Sequence, residues 1–454
     1  MLRPARTAAS RPVCNLCSAR SLVQIAPWIR TVQVSTATNG DKGLCKTTTW
    51  RRCYATRRLD VVKLRADVDQ RSRDGFYRLS KSQGSLQLEA DKANAIYKDF
   101  LAHESKYDHG GHVIRLAKKY ACAIEDITDI ALVTYKIPDL DDAEKIRQIP
   151  ASQHKPTAGL MLRGCAQAGD PSAIVHILTA VYTNSIGSDD AARRIASLFP
   201  QSEIAKYRST LDKLCSTSEK ITLGPDCLTL QGLFLEKEGQ KQKAREAFEL
   251  AINRSHLQPV AGTKNPLLLP LIAPWNALSY MLASDKDPTV QAQAKKYFLL
   301  GAQEADDPLS CYEVTKYEPR TSTNWLRFTS KAAASGHRQA AVNLAEFYQE
   351  LGKDAKPKLE SSGLRDTLDW LLGWKPDSAA ALAQEWFQVA SNLGHKPSML
   401  QLANYCESVG NQEQAVDYLR RILEPPKSSS QVEEWPQVVQ QAQRRLASKR
   451  MLPT

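Results

Sequence analysis

Histidine carries most of the chemistry this sequence could offer. Two copies sit in the same local setting, Gly336-His337 and Gly394-His395. Three more, His103, His109 and His112, cluster beside Glu104 and Asp108. A catalytic or zinc role needs such groups to converge from a helix or tight turn. The trio instead flanks Gly110-Gly111, a breaker by composition, so it is expected to be surface polarity. Ten cysteines suggest a metal or disulfide framework, yet only Cys14-x-x-Cys17 has a suggestive spacing. The sequence has no phosphate-cradling glycine loop, no Gly-x-Ser-x-Gly elbow and no His-Glu-x-x-His. Acid pairs such as Asp306-Asp307 adjoin loop prolines. No catalytic, cofactor-binding or metal-binding residue is therefore expected.

The paired histidines belong to a longer pattern. Ala332, Gly336-His337, Leu344-Ala345-x-Phe347 and Gly352 recur 58 positions later as Ala390, Gly394-His395, Leu402-Ala403-x-Tyr405 and Gly410. Related fragments lie upstream, in Gly232-x-Phe234 with Gly239 and in Phe298-x-x-Gly301. Small residues let antiparallel helices approach, an aromatic fills the next layer, and glycine supplies a left-handed turn. One such hairpin cannot bury its own apolar faces, so neighbours must stack. These residues resemble the Sel1-like branch of the tetratricopeptide-type repeats. The resemblance implies an all-α, right-handed superhelical solenoid of antiparallel helix hairpins. It also makes Ala332, Gly336, His337, Ala345, Gly352, Ala390, Gly394, His395, Ala403 and Gly410 repeat-structural.

Charge and cysteine usage divide the chain. Residues 1–54 hold nine Lys/Arg against one acid, Asp41, so +8 of the net +12 lies there and +4 is left for the rest. A near-neutral body lacks the basic footprint of a nucleic-acid binder. The basic segment is Arg-, Ser- and Thr-rich, the composition of a mitochondrial transit peptide. Arg51-Arg52-Cys53-Tyr54-Ala55-Thr56 resembles a matrix-protease site, with cleavage expected after Tyr54. Cleavage would remove Cys14, Cys17, Cys45 and Cys53. Cys122, Cys165, Cys215, Cys227, Cys311 and Cys406 then remain as free core thiols in a reducing matrix.

Helical periodicity continues through most of the body. A flexible lead-in is expected over 55–85 and a helical block over 86–154, with helices at 86–101 and 113–135 separated by Gly110-Gly111; Asp142 is a candidate cap for a short helix. Hairpins follow over 155–424, one turning at Gly169-Asp170 and one spanning 224–252 with the stripe Ala244, Ala247, Phe248, Ala251, Ile252. The apolar run at 266–275, broken by Pro270 and Pro274, is too short to span a membrane and reads as a buried connection. Residues 425–454 supply a linker and a capping helix, with Val439, Ala442 and Leu446 inward and Arg444-Arg445 outward.

The two best repeats should lie about 36 residues apart, so their spacing implies an insertion of roughly 22 residues, within 353–379. It carries Leu364, Leu368, Leu371 and Leu372 on one helical face with Trp370 and Trp374 beside it. That face is the candidate contact for a partner or membrane, or it docks on the chain itself. The expected function is a non-catalytic scaffold gripping a protein client in the mitochondrial matrix, with peripheral contact to the inner membrane as an option. Given matrix targeting, the resemblance implies help in assembling an inner-membrane respiratory complex such as cytochrome c oxidase. The rival is a helical-repeat RNA-binding factor for mitochondrial gene expression, disfavoured by irregular periods and the near-neutral body. Oligomeric state is open.

Overall fold

A computed structural model describes residues 60–103, 108–139, 149–187, 189–217, 224–255, 257, 266–353, 365, 366, 368, 377–425 and 433–450. Among these residues there are nineteen helices and no strand. The first half holds α1 (Val61–Ser82), α2 (Ala90–His103), α3 (His109–Lys119), α4 (Ile124–Lys136), α5 (His154–Gln167), α6 (Pro171–Ile186), α7 (Asp190–Ala196), α8 (Gln201–Thr217), α9 (Gly224–Lys237) and α10 (Lys241–Arg254). The second half holds α11 (Pro274–Ala283), α12 (Pro288–Gln303), α13 (Pro308–Thr315), α14 (Thr323–Ala334), α15 (Arg338–Lys353), α16 (Ser378–Asn392), α17 (Lys396–Ser408), α18 (Gln412–Ile422) and α19 (Pro436–Arg450). The expected transit peptide and the candidate cap Asp142 lie outside the described residues.

Helix starts follow from local chemistry. Three helices open on Asp-Pro: Asp170, Asp287 and Asp307 accept from the backbone N–H of Ala173 (2.9 Å), Thr289 (2.8 Å) and Ser310 (2.8 Å). The following proline has φ already set for a first helical position and lacks an N–H that would go unbonded there. Helix ends use glycine. Gly169, Gly239, Gly336, Gly394 and Gly410 all have φ between +79° and +88°. After each, the next residue donates its N–H to a carbonyl five positions back: Asp170 to Cys165, Gln240 to Leu235, His337 to Ala332, His395 to Ala390 and Asn411 to Cys406, at 2.8 to 3.0 Å. That residue then begins the following helix, so a single position closes one helix and opens the next.

Packing runs along the chain. From α9 onward each helix packs on the one before and the one after, including α15 on α16 across the insertion. The apolar core is handed along in the same order. Helix α10 gives Ala251 to the first cluster and Phe248 to the second; α15 gives Leu344 to the second and Ala345 to the third. The expected stripe on α10 is buried throughout. The run expected as a buried connection over 266–275 is a connection over 266–273, with Leu267 and Ala273 buried and Leu269 donating its N–H to His176 Nδ1 (3.1 Å), while Pro274 and Trp275 open α11.

The N-terminal block departs from expectation in three places. Residues 61–82, expected as flexible lead-in, form a 22-residue helix packed on α2 and α4. Its buried face is Arg65, Asp69, Arg73, Tyr77 and Ser80, a helical stripe almost without apolar groups. Gly110-Gly111 is no breaker; it forms the first turn of α3, capped by Asp108 accepting from Gly111 N–H (2.8 Å). Gly110 and, on α5, Gly164 let the two helices lie close: a Cβ at Gly110 would meet Gln167 Cβ at 3.1 Å, and one at Gly164 the His109 carbonyl oxygen at 2.5 Å. The expected helix over 113–135 is two helices, broken at Ala121 with φ +45°.

Candidate interaction surface

The two Gly-His turns are built alike and play a backbone role. His395 Nδ1 accepts from Ser398 N–H (3.2 Å), and His337 Nδ1 accepts from Ala340 N–H (3.2 Å). Each ring caps the helix that follows it. Capping by Nδ1 requires the neutral ring, and burial enforces that state: His395 is pushed down to about 4 by desolvation and then by Arg338, and His337 is lowered chiefly by desolvation. The rings differ in what they touch. His337 stacks on Tyr312 (centroids 4.0 Å apart), while His395 meets Trp435 edge-on at 5.1 Å.

The residue after each histidine is a cation, and both cations face one strap. Lys396 Nζ donates to Glu433 Oε2 (2.6 Å) and to the Glu424 carbonyl (2.9 Å). Arg338 donates to Glu434 Oε2 (3.0 Å), and its guanidinium carbon lies 5.0 Å from the Trp435 ring centroid. The Lys396 hydrogen bond is the leading cause that lowers the Glu433 carboxyl. The strap leads into α19, where Ala442 is fully buried and Val438, Val439 and Leu446 are half covered. Arg445, expected to point outward, instead reaches Asn404 Oδ1 (2.7 Å) and Glu407; Arg444 is exposed.

The remaining repeat positions are mostly packing sites. Ala332, Ala345, Ala390 and Ala403 are fully buried. Phe347 is buried, whereas its counterpart Tyr405 is 42% exposed and Val409, one turn on, 57%. Gly410 forms a turn, but Gly352 does not: α15 runs through it to Lys353. Between Lys353 and Asp377 the insertion is described only at Arg365, Asp366 and Leu368. Leu368 is buried at 3% in the second core cluster, which withdraws it from the candidate contact face. Leu364, Trp370, Leu371, Leu372 and Trp374 lie outside the described residues.

Of the histidine trio, His103 and His109 are partly exposed, but His112 does not face solvent. His112 is fully buried, stacked on Phe100 at 4.7 Å with rings 7° from parallel, and its Nε2 lies 2.9 Å from Arg115. Desolvation and Arg115 push it down to about 4. His103 Nδ1 lies 2.8 Å from Asp99, which Lys119 also engages at 2.8 Å. Among the described residues no three His, Cys, Asp or Glu side chains are placed to share a metal ion. Desolvation raises the thiols of the six described cysteines, Cys215 and Cys227 to about 12 and Cys311 to about 11, so they stay protonated near neutral pH.

The polar stripe of α1 makes the other dense cluster. Arg65 bonds Asp69 (2.8 Å) and Asp139 (2.7 Å), and Ser152 donates to Asp69 (3.1 Å). Arg73 lies over the Tyr97 ring at 4.3 Å, with Nη1 3.2 Å from His154 Nε2, and Tyr77 shares a 2.6 Å bond with Thr134. Most partners are buried side chains; Asp139, at the edge of the cluster, has its side chain 42% exposed. It joins helices; it offers no reacting group to a ligand.

Comparison with family models and with curated proteins gives no match. No helix of the described residues is long and apolar enough to cross a membrane. The strap is the feature missed in the sequence. A Glu-Glu-Trp tripeptide has no meaning until two cations 58 positions apart are seen to face it.

Proposed function

We propose that this chain is a non-catalytic protein-binding scaffold, a right-handed superhelical solenoid of Sel1-like or tetratricopeptide-type helix hairpins. The observation that carries this reading is the junction used five times, in which a positive-φ glycine is followed by one residue that closes a helix and opens the next. Such junctions fix adjacent helices as tight antiparallel pairs. A core handed from pair to pair gives an elongated stack with a large side surface, the general design of partner-binding repeat arrays. The polar groups described above are spent on caps and internal pairs. A scaffold needs no more of them.

The place of action is read from the sequence alone. The basic 1–54 segment argues for the mitochondrial matrix, and the resemblance argues for a client among the inner-membrane respiratory complexes, such as cytochrome c oxidase, with peripheral contact to that membrane as an option. Crosslinking the tagged chain in intact mitochondria tests the reading. Adducts to inner-membrane proteins are expected. RNA as the dominant adduct would overturn it in favour of a gene-expression factor.

A further inference from the structure

Arg338 and Lys396 occupy equivalent places, each directly after its Gly-His pair, and they are engaged by successive acids of one tripeptide. The spacing of the two turns thus matches the spacing of Glu433 and Glu434. Trp435 completes the match, seated between the Arg338 guanidinium and the edge of the His395 ring. Lys396 is only 9% exposed, and burying an ammonium is costly unless it is paired. Its two oxygens come from Glu433 and from the Glu424 carbonyl, just after α18. The turns therefore present a built site for an acidic-aromatic tripeptide.

The hold on the segment after the strap is shallow. Of α19 only Ala442 is fully buried, against α17 and α18, whose Met399, Leu402, Cys406 and Leu419 share its cluster. Of the two ion pairs, Arg338–Glu434 is partly exposed and contributes little, whereas Lys396–Glu433 is mostly buried and is the firmer contact. An occupant held in this way is favoured chiefly by being tethered, at an effective concentration on the order of millimolar.

We propose that the two Gly-His-cation turns are a peptide-binding site, latched in cis by Glu433-Glu434-Trp435 and α19, whose ligand in trans is an amphipathic helix led by two acidic residues and an aromatic. This rests on the scaffold reading, and it names the chemistry of the client segment. The latch covers the apolar ends of α17 and α18 until a partner carrying the same pattern displaces it.

The test uses the purified full chain and a fluorescent synthetic peptide of residues 433–450. Weakening the latch with Glu433→Ala/Glu434→Ala should tighten peptide binding by at least about tenfold over wild type, as removal of a tethered competitor requires. Adding Arg338→Glu/Lys396→Glu should abolish binding. Equal affinity of wild type and latch variant, or binding by neither, would overturn the proposal. Alkylation of Cys406, read by mass spectrometry, is the second measurement. Its rate should rise in the latch variant and fall again with saturating peptide, while Cys311, in another core cluster, stays protected. Cys406 protection unchanged by the latch variant would mean a fixed cap and no latch. If the alanine pair exposes Cys311 as well, Glu433→Gln/Glu434→Gln takes its place, with the same expected and overturning results. These readouts use the chain's own segment, so they can fail while crosslinking still finds a protein client.

Discussion

Helices α1 and α10 each bury one face, and they bury opposite chemistry. Helix α10 contributes Ala244, Ala247, Phe248, Ala251 and Ile252; α1 contributes Arg65, Asp69, Arg73, Tyr77 and Ser80. The α10 face is held by contact area, which tolerates small changes of shape. The α1 face is held by directed bonds to named partners, and losing one strands a charge away from water. The chain thus sets a helix seated largely by polar groups, α1, against an otherwise apolar N-terminal core, and follows it with a stack packed by small and aromatic residues.

The difference is broken most directly at Asp69. Asp69→Ala should destabilise the block by about 3 kcal/mol, because it leaves Arg65 and Arg73 buried with one carboxylate fewer. Urea midpoints followed by proteolysis of α1 measure this. A loss well under 1 kcal/mol would show the stripe to be peripheral. In contrast, Phe248→Leu in α10 should cost only about 1 to 1.5 kcal/mol, the range of near-volume-conserving core swaps.

The seam between the regions should respond to acid. His176 joins α6 to the 266–273 connection and is pushed down to about 3, mainly by desolvation and also by Lys136. Below its ordinary value of 6.5 the unfolded chain takes up a proton that the folded chain refuses until about pH 3. Stability is therefore full above pH 6.5 and lost as pH falls toward 3, by about 2 kcal/mol at pH 5 for this group. Denaturant midpoints at pH 7.5 and 5 should show the loss. In His176→Asn, whose side-chain oxygen can still accept from Leu269, the slope should be shallower.

The smallest effects compare the two Gly-His turns. Gly336→Ala and Gly394→Ala should each cost about 1 kcal/mol, since both sit at φ +88°. His337→Ala and His395→Ala should each cost about 0.5 to 1 kcal/mol as lost caps. Thermal unfolding of the four variants checks the equivalence. A larger cost at His395 alone would reveal the contribution of its contact with Trp435.

How much could be read beforehand follows from the same contrast. The α10 stripe, the Gly169, Gly239 and Gly-His turns and the connection before α11 were legible because apolar periodicity and glycine carry local meaning. Helix α1 was not, because Arg, Asp and Arg at four-residue spacing look like a solvated face until Asp139, Asn94 and His154 are brought to them. Gly110-Gly111 misled because a first helical turn tolerates glycine when a neighbouring helix lies close. His112 looked polar, yet its ring is a flat core group stacked on Phe100. Leu368 was open between an outside contact and docking on the chain itself, and it is buried in the chain's own second core cluster.

The central claim, a scaffold that meets protein clients through its C-terminal stack, is tested most directly by site-resolved photo-crosslinking in intact mitochondria. A photo-reactive residue at Val409, an exposed apolar position on the last repeat pair, is compared with one at Leu101 in the N-terminal block, 42% exposed. Protease-sensitive adducts should form from position 409, with far fewer from position 101. Adducts from 101 alone, or RNA adducts from 409, would contradict the account.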